Sequence, residues 1–174
     1  APINIRDSMR SPVTAVIDIG SNSIKILIAR RLGGGRIEEL GAHTLDARIS
    51  AGISRERPRL GEEGMQRGLD AIRQLLRLAT EAAADEVVMV ATSAVRDAEN
   101  GADFCERVRA GTGHKLRILS GDEEANLIGR GLTCDPALAG LENFHLFDLG
   151  GGSLECLAFR QRLIVQAVSL KLGC

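Results

Sequence analysis

Apolar and polar positions divide the chain into segments with two different periods. Val13–Ile19 and Ile24–Arg31 are β-rich apolar runs, and the polar turn Asp18-Ile19-Gly20-Ser21-Asn22-Ser23 joins them. Gly33-Gly34-Gly35 then separates the second run from Arg36–Leu40. A triple glycine can cradle phosphate, but with a strand before it and no helix after it a hairpin loop is the favoured reading. The first 45 residues therefore predict an antiparallel meander. In Gly61–Ala84 the period changes. Met65, Leu69, Ile72, Leu76, Ala79 and Ala83 recur at helical spacing, with Glu62 and Glu63 in the first turn. Glu86–Ala91 (EVVMVA) predicts a buried strand and Arg117–Leu119 the end of a shorter one, with a helix over Gly101–Ala110 between them. A further helix is predicted from Asp122 to Leu132, then a linker-like stretch from Pro136 to Asn143. Phe144–Leu149, Leu154–Phe159 and Leu163–Leu170 read as three more strands. Strand–helix alternation after a meander implies an α/β fold, a mixed sheet flanked by helices.

Composition narrows the function classes. The 174 residues carry a net charge of -1, without the basic excess of a dedicated binder of nucleic-acid polymers. An anionic ligand must then be held by a local cluster of groups. With no Trp, no Tyr and four Phe, stacking platforms for bases are scarce. Cys105, Cys134, Cys156 and Cys174 show no metal-ligand spacing. Cys105 and Cys156 sit among apolar neighbours and read as core residues, which favours a reducing cytoplasm. No apolar run reaches the ~18 residues of a membrane span. Ala1 to Pro12 is polar, contains two prolines, and reads as a loose arm rather than a signal peptide.

The most informative feature is internal. Val16-Ile17-Asp18-Ile19-Gly20-Ser21-Asn22-Ser23-Ile24 resembles Leu146-Phe147-Asp148-Leu149-Gly150-Gly151-Gly152-Ser153-Leu154, with Asp148 following Asp18 by 130 residues. Both read as strand, glycine-bearing turn, returning strand. Such a turn offers a carboxylate, hydroxyls and unobstructed N–H groups at one rim of a sheet. The carboxylate cannot bind phosphate, but it can hold a hydrated divalent cation that does. One Asp-x-Gly turn is commonplace. Two in matching contexts, facing across a cleft, would grip a phosphate group from both sides.

These segments carry a resemblance. DIGSNSIKILIAR and DLGGGSLE resemble the two phosphate loops of the exopolyphosphatase/guanosine pentaphosphate phosphatase family, and ATSAVRDAENG and ILSGDEEANLIGRG resemble two segments between them. The likeness covers residues 13 to 174. That family is similar to the actin, sugar-kinase and heat-shock chaperone superfamily, which implies ribonuclease-H-like domains with the active site between them. After the arm over residues 1–12, it implies a first domain over 13–143 and the opening strands of a truncated second domain over 144–174. It also implies hydrolysis of terminal phosphoanhydrides in polyphosphate or guanosine pentaphosphate with Mg²⁺. A sugar or acetate kinase and a nucleotide-sensing regulator are the competing functions on the same scaffold.

On this resemblance Asp18, Asp148 and Glu155 are expected at the metal, Glu155 having a solvated strand position as its alternative. Ser21, Asn22, Ser23, Arg96, Gly150, Gly151, Gly152 and Ser153 are expected at the phosphate. Ser120 and Glu123 have the S-x-x-E spacing of a helix capping box. The resemblance instead makes a glutamate of this segment the general base, Glu123 ahead of Glu124, and both readings can hold together. Arg96 reads from sequence as a surface arginine near a helix start, where a cation is disfavoured unless a phosphate joins it. Arg48 resembles a family arginine that could touch the substrate chain, whereas Ala51 and Leu154 depart from the family pattern by replacing an acid and a threonine. The three C-terminal strands, with no helix after them, are expected to leave Phe147, Leu157, Ile164 and Val168 partly uncovered. Self-association through residues 144–174 is expected, with the isolated chain catalytically silent.

Overall fold

The computed structural model describes residues 11–33, 36–53 and 56–172. Most of the N-terminal arm, Gly34 and Gly35 of the triple glycine, Arg55 and Cys174 fall outside these residues. β1 (Val13–Ile19), β2 (Ile24–Arg31) and β3 (Ile37–Leu45) form the meander. β3 runs five residues past the predicted end at Leu40. Its side chains are mostly exposed, so no apolar alternation marks Gly41–Leu45, yet their backbone pairs with Ile24–Ile28. A register shift at Ile28/Ala29 accommodates the pairing.

The chain then builds α1 (Glu62–Glu81), β4 (Glu86–Ala91), α2 (Ser93–Arg96), α3 (Gly101–Thr112) and β5 (Arg117–Ile118). β4 lies parallel to β1 and β5 parallel to β4, giving the mixed order β3-β2-β1-β4-β5. Alternation along β1 and β2 sends Val13, Ala15, Ile17, Ile19, Ile24, Ile26 and Ile28 to one face, into a core with Ile72, Leu75, Phe104 and Val108 of α1 and α3. The two helices approach closely at Gly68, where a Cβ would stand 2.9 Å from Phe104 Cζ. Asp18, between two core positions, points to the opposite face.

α4 (Gly121–Cys134) follows, then a 3₁₀ turn at Pro136–Leu138 and the antiparallel sheet β6 (Phe144–Leu149), β7 (Leu154–Arg160), β8 (Leu163–Leu170). α4 starts on a capping box: Ser120 Oγ accepts from Glu123 N at 3.1 Å, and Glu123 Oε2 accepts from Ser120 N at 2.9 Å.

α4 also corrects the expectation of an uncovered second sheet. Its buried residues are Ala125 and Gly129. Ala125 joins a cluster with Leu157 and Phe159, flanked by Ile164, and a Cβ on Gly129 would stand 2.6 Å from Ile164 Cδ1. Leu157 is thus buried by a helix that precedes the sheet in sequence, a long-range contact that strand patterning does not reveal. Among the described residues nothing covers the other face, where Phe147 is 68% and Val168 38% exposed. Cys156 pairs with both of these and is only half-buried on that face, unlike the core position expected for it. Cys105 does pack against the main core. Among the described residues, no helix is long and apolar enough to cross a membrane.

Candidate active site

The two repeated turns have the same backbone construction. Gly20 N donates to Ser23 O at 3.1 Å, and Gly150 N donates to Ser153 O at 2.8 Å. Ile19 pairs with Ile24 across the first turn, as Leu149 does with Leu154 across the second. The turns also touch. A Cβ on Gly151 would lie 2.7 Å from Asn22 Nδ2, and one on Gly152 would lie 2.5 Å from Ser93 Oγ and 2.8 Å from Ser21 Oγ. Only glycine permits so close an approach of the second loop to the first.

The segment after β3 braces the first loop from behind. Arg48 N donates to Asn22 O at 2.8 Å, while Ser50 N and Oγ both donate to Ser21 O. In a trans peptide the carbonyl and the following N–H point in opposite directions. Turning the Ser21 and Asn22 carbonyls onto the brace therefore aims the Asn22 and Ser23 N–H groups away from it. Arg48 holds this position at φ 43, a left-handed conformation that costs an arginine free energy. Its exposed guanidinium lies 3.6 Å from Asp46.

Carboxylates gather at the same rim. Asp18 has its pKa raised, first by burial, with Asp148 adding to the rise and Lys25 opposing it. Among the described residues, its Oδ1 is buried without a hydrogen-bond partner. A buried, unpartnered carboxylate oxygen beside a second carboxylate is chemistry that a divalent cation would relieve. Among the described residues, no group of three metal-ligating side chains stands close enough to hold an ion alone. A cation here would need water or ligand oxygens, the hydration Mg²⁺ favours. Glu155 is 2% exposed and accepts from Ser169 Oγ at 2.8 Å, which removes the solvated-strand reading. Ser153, 3% exposed, shares its face.

The adjacent glutamates separate. Glu123, favoured from sequence, is committed to the α4 cap and bonded to Arg117. These hydrogen bonds, Ser120's backbone foremost, hold its pKa below the usual value. Glu124 lies one helical step round, facing inward. Its Oε2 accepts from Arg96 Nη1 at 2.7 Å, with side-chain exposures of 12% and 18%. Burial pushes the Glu124 pKa up, Arg96 pulls against that, and Glu155 and Asp18 add to the rise.

Arg96 also departs from expectation: it ends the four-residue α2 instead of flanking a helix start. Glu124 and Asp97, the latter 3.7 Å from Arg96 Nε, already compensate its charge, so no phosphate is needed to explain it. Lys171 reaches Asp97 at 3.2 Å from the end of β8. Asp18, Asp148, Glu155, Glu124, Arg96 and both loops thus share one region, while Glu123 lies at its edge. Sequence reasoning missed Ser93, whose segment was read only for Arg96, and Ser169, whose register opposite Glu155 is set by the β7–β8 pairing.

Known proteins are similar to this chain in sequence and in fold. A protein from Vibrio cholerae named guanosine-5'-triphosphate,3'-diphosphate pyrophosphatase is 30% identical over 96% of this chain and 33% of its own. Its counterpart from Aliivibrio fischeri is 31% identical over 98% and 33%. This chain therefore spans about a third of the length of these curated relatives. Among solved structures, an exopolyphosphatase from Cytophaga hutchinsonii superposes with a TM-score of 0.85 at 26% identity, over 92% of this chain and 51% of that one. The Aquifex aeolicus PPX-GPPA enzyme superposes with a TM-score of 0.78 at 25% identity, over 93% and 53%. The match to the family itself runs from residue 16 to residue 174 and takes in both loops, Arg96 and Glu124, so this chain belongs to the Ppx/GppA phosphatase family.

Proposed function

We propose that the protein carrying this chain hydrolyses terminal phosphoanhydride bonds, with inorganic polyphosphate as substrate and guanosine pentaphosphate as the alternative. The observation that carries the reading is the meeting of two like-built glycine turns beside a partly buried Arg96–Glu124 pair. The terminal phosphoryl group lies against both loops, held by the N–H groups of Asn22, Ser23, Gly151 and Gly152 and by the Ser153 hydroxyl. Arg96 Nη1 serves Glu124, so Nη2 is the edge left for a phosphate oxygen.

Glu124 is the general base. Its carboxylate takes a proton from water as the water oxygen bonds to phosphorus and the anhydride P–O bond breaks, with the shortened chain leaving as a phosphate anion. A raised pKa suits a base that must accept a proton near neutral pH. Asp18 and Asp148 would hold Mg²⁺, with Glu155 behind them, and the ion would supply positive charge against the phosphate oxygens.

The likeness to the Cytophaga hutchinsonii exopolyphosphatase and the scarcity of aromatic side chains favour the base-free substrate. The names of the Vibrio and Aliivibrio relatives favour guanosine pentaphosphate. A kinase of the sugar or acetate type remains the distant reading. Phosphate release from polyphosphate, guanosine pentaphosphate and ATP by the full-length enzyme separates the three. Release from polyphosphate with ATP untouched is the expected result, and release from neither polyphosphate nor guanosine pentaphosphate would refute the proposal.

A further inference from the structure

Ser93 sits in this cleft without a task in the proposed reaction. It opens α2, is 5% exposed, and its hydroxyl oxygen lies 3.3 Å from that of Ser21, which is equally buried. Hydroxyl pairs usually close to about 2.7–2.8 Å, so this contact is loose. Each hydroxyl has one proton, and only one of the two can be donated within the pair. Among the described residues, neither Oγ has another protein partner, so one buried proton is left over.

The pair faces the second loop. Gly152 packs beside both hydroxyls, a Cβ there standing 2.5 Å from Ser93 Oγ and 2.8 Å from Ser21 Oγ. Among the described residues, the N–H groups of Gly151 and Gly152 also donate to no backbone acceptor. The unused donors of these segments are thus one hydroxyl proton and two amides, beside the hydroxyls' own spare lone pairs. A ligand that satisfies them presents acceptor oxygens, as a phosphoryl group does.

We propose that Ser93 is a further substrate-binding residue, its hydroxyl acting with that of Ser21 to hold one phosphoryl oxygen against the Gly151–Gly152 backbone. The inference rests on reading the cleft as a phosphoanhydride site. It adds a third segment of chain to the two loops and makes Ser21 and Ser93 one binding unit.

Ser93→Ala, Ser21→Ala and the double variant of the full-length enzyme test it. Inorganic phosphate binding is measured by calorimetry, beside KM and kcat for polyphosphate and the thermal unfolding midpoint. Each single variant should weaken phosphate binding and raise KM by about tenfold, the loss of one hydrogen bond to a charged group. Turnover should change far less, and the double variant should lose little more than either single one, because the hydroxyls act as a unit. Parental phosphate affinity in Ser93→Ala would overturn the inference. So would a loss that appears only with a lowered unfolding midpoint and an equal fall in kcat. A parent that binds phosphate but hydrolyses no phosphoanhydride would sink the proposed function and leave Ser93 to be judged on binding alone.

Discussion

Arg96 at the end of α2 and Glu124 in the first turn of α4, 28 residues apart in the chain, meet at 2.7 Å between Nη1 and Oε2. Arg96 follows the strand β4 of the first sheet, whereas Glu124 sits on the helix that packs against the second. The pair thus joins the two sheets' structural units beside the loops, as Lys171–Asp97 and Arg117–Glu123 also do. Arg96→Ala should weaken substrate binding by about 1.5–3 kcal/mol and flatten its salt dependence, because a charged hydrogen bond to phosphate is lost. KM measured across a salt series checks this, and an unchanged KM would return Arg96 to a purely structural role.

The same substitution should move the pH profile. Glu124 must be unprotonated to act as a base, so activity falls as pH drops through its pKa, which burial holds above the usual glutamate range. Arg96 favours the charged carboxylate and opposes that rise. Removing the guanidinium should therefore shift the acidic limb of kcat/KM to higher pH. A limb that stays in place, or moves down, would mean that another group controls it.

Glu123 and Ser120 carry a prediction about stability. Ser120→Ala removes one half of the α4 capping box and should cost about 0.5–2 kcal/mol in urea unfolding. Lost hydroxyl capping frays the helix start, but Glu124 keeps its direct contact with Arg96. A variant as stable as the parent would show that the cap contributes nothing.

The bare face of the second sheet predicts association. Phe147 and Val168 stand exposed on the two outer strands, on either side of Cys156 of β7, and β6 and β8 each have an unpaired edge among the described residues. The 174-residue chain should self-associate on light scattering, and Phe147→Lys combined with Val168→Lys should return it to a monomer. A monomeric parent chain would contradict this reading.

Much of this architecture was legible in the sequence because its signals are local. The apolar runs Val13–Ile19 and Glu86–Ala91 mark those strands to the residue, and the repeated Asp-x-Gly turns identify both loops. Glu123 and Glu124 show where legibility ends. Adjacent helical residues point about 100° apart, so which of them enters a cleft depends on what the helix packs against. The spacing from Ser120 correctly marked a cap, and the cap occupies Glu123, leaving Glu124 to face Arg96. Ser93 and Ser169 were invisible for a related reason: each gains its meaning from a partner 72 or 14 residues away, brought near by sheet pairing and loop contact. The burial of Leu157 under α4 likewise depends on a helix earlier in the chain than the sheet it covers.

Glu124, paired with Arg96 beside two glycine loops, is the proposed base of a phosphoanhydride hydrolase. Comparing Glu124→Gln with Glu123→Gln in the full-length enzyme, by phosphate release from polyphosphate at saturating substrate, tests it most directly. Glu124→Gln should lower turnover at least about a hundredfold with the fold intact, the usual worth of a general base. Glu123→Gln should keep most of the parental turnover and lose only helix-cap stability. Full turnover in Glu124→Gln, with the loss in Glu123→Gln instead, would contradict the account.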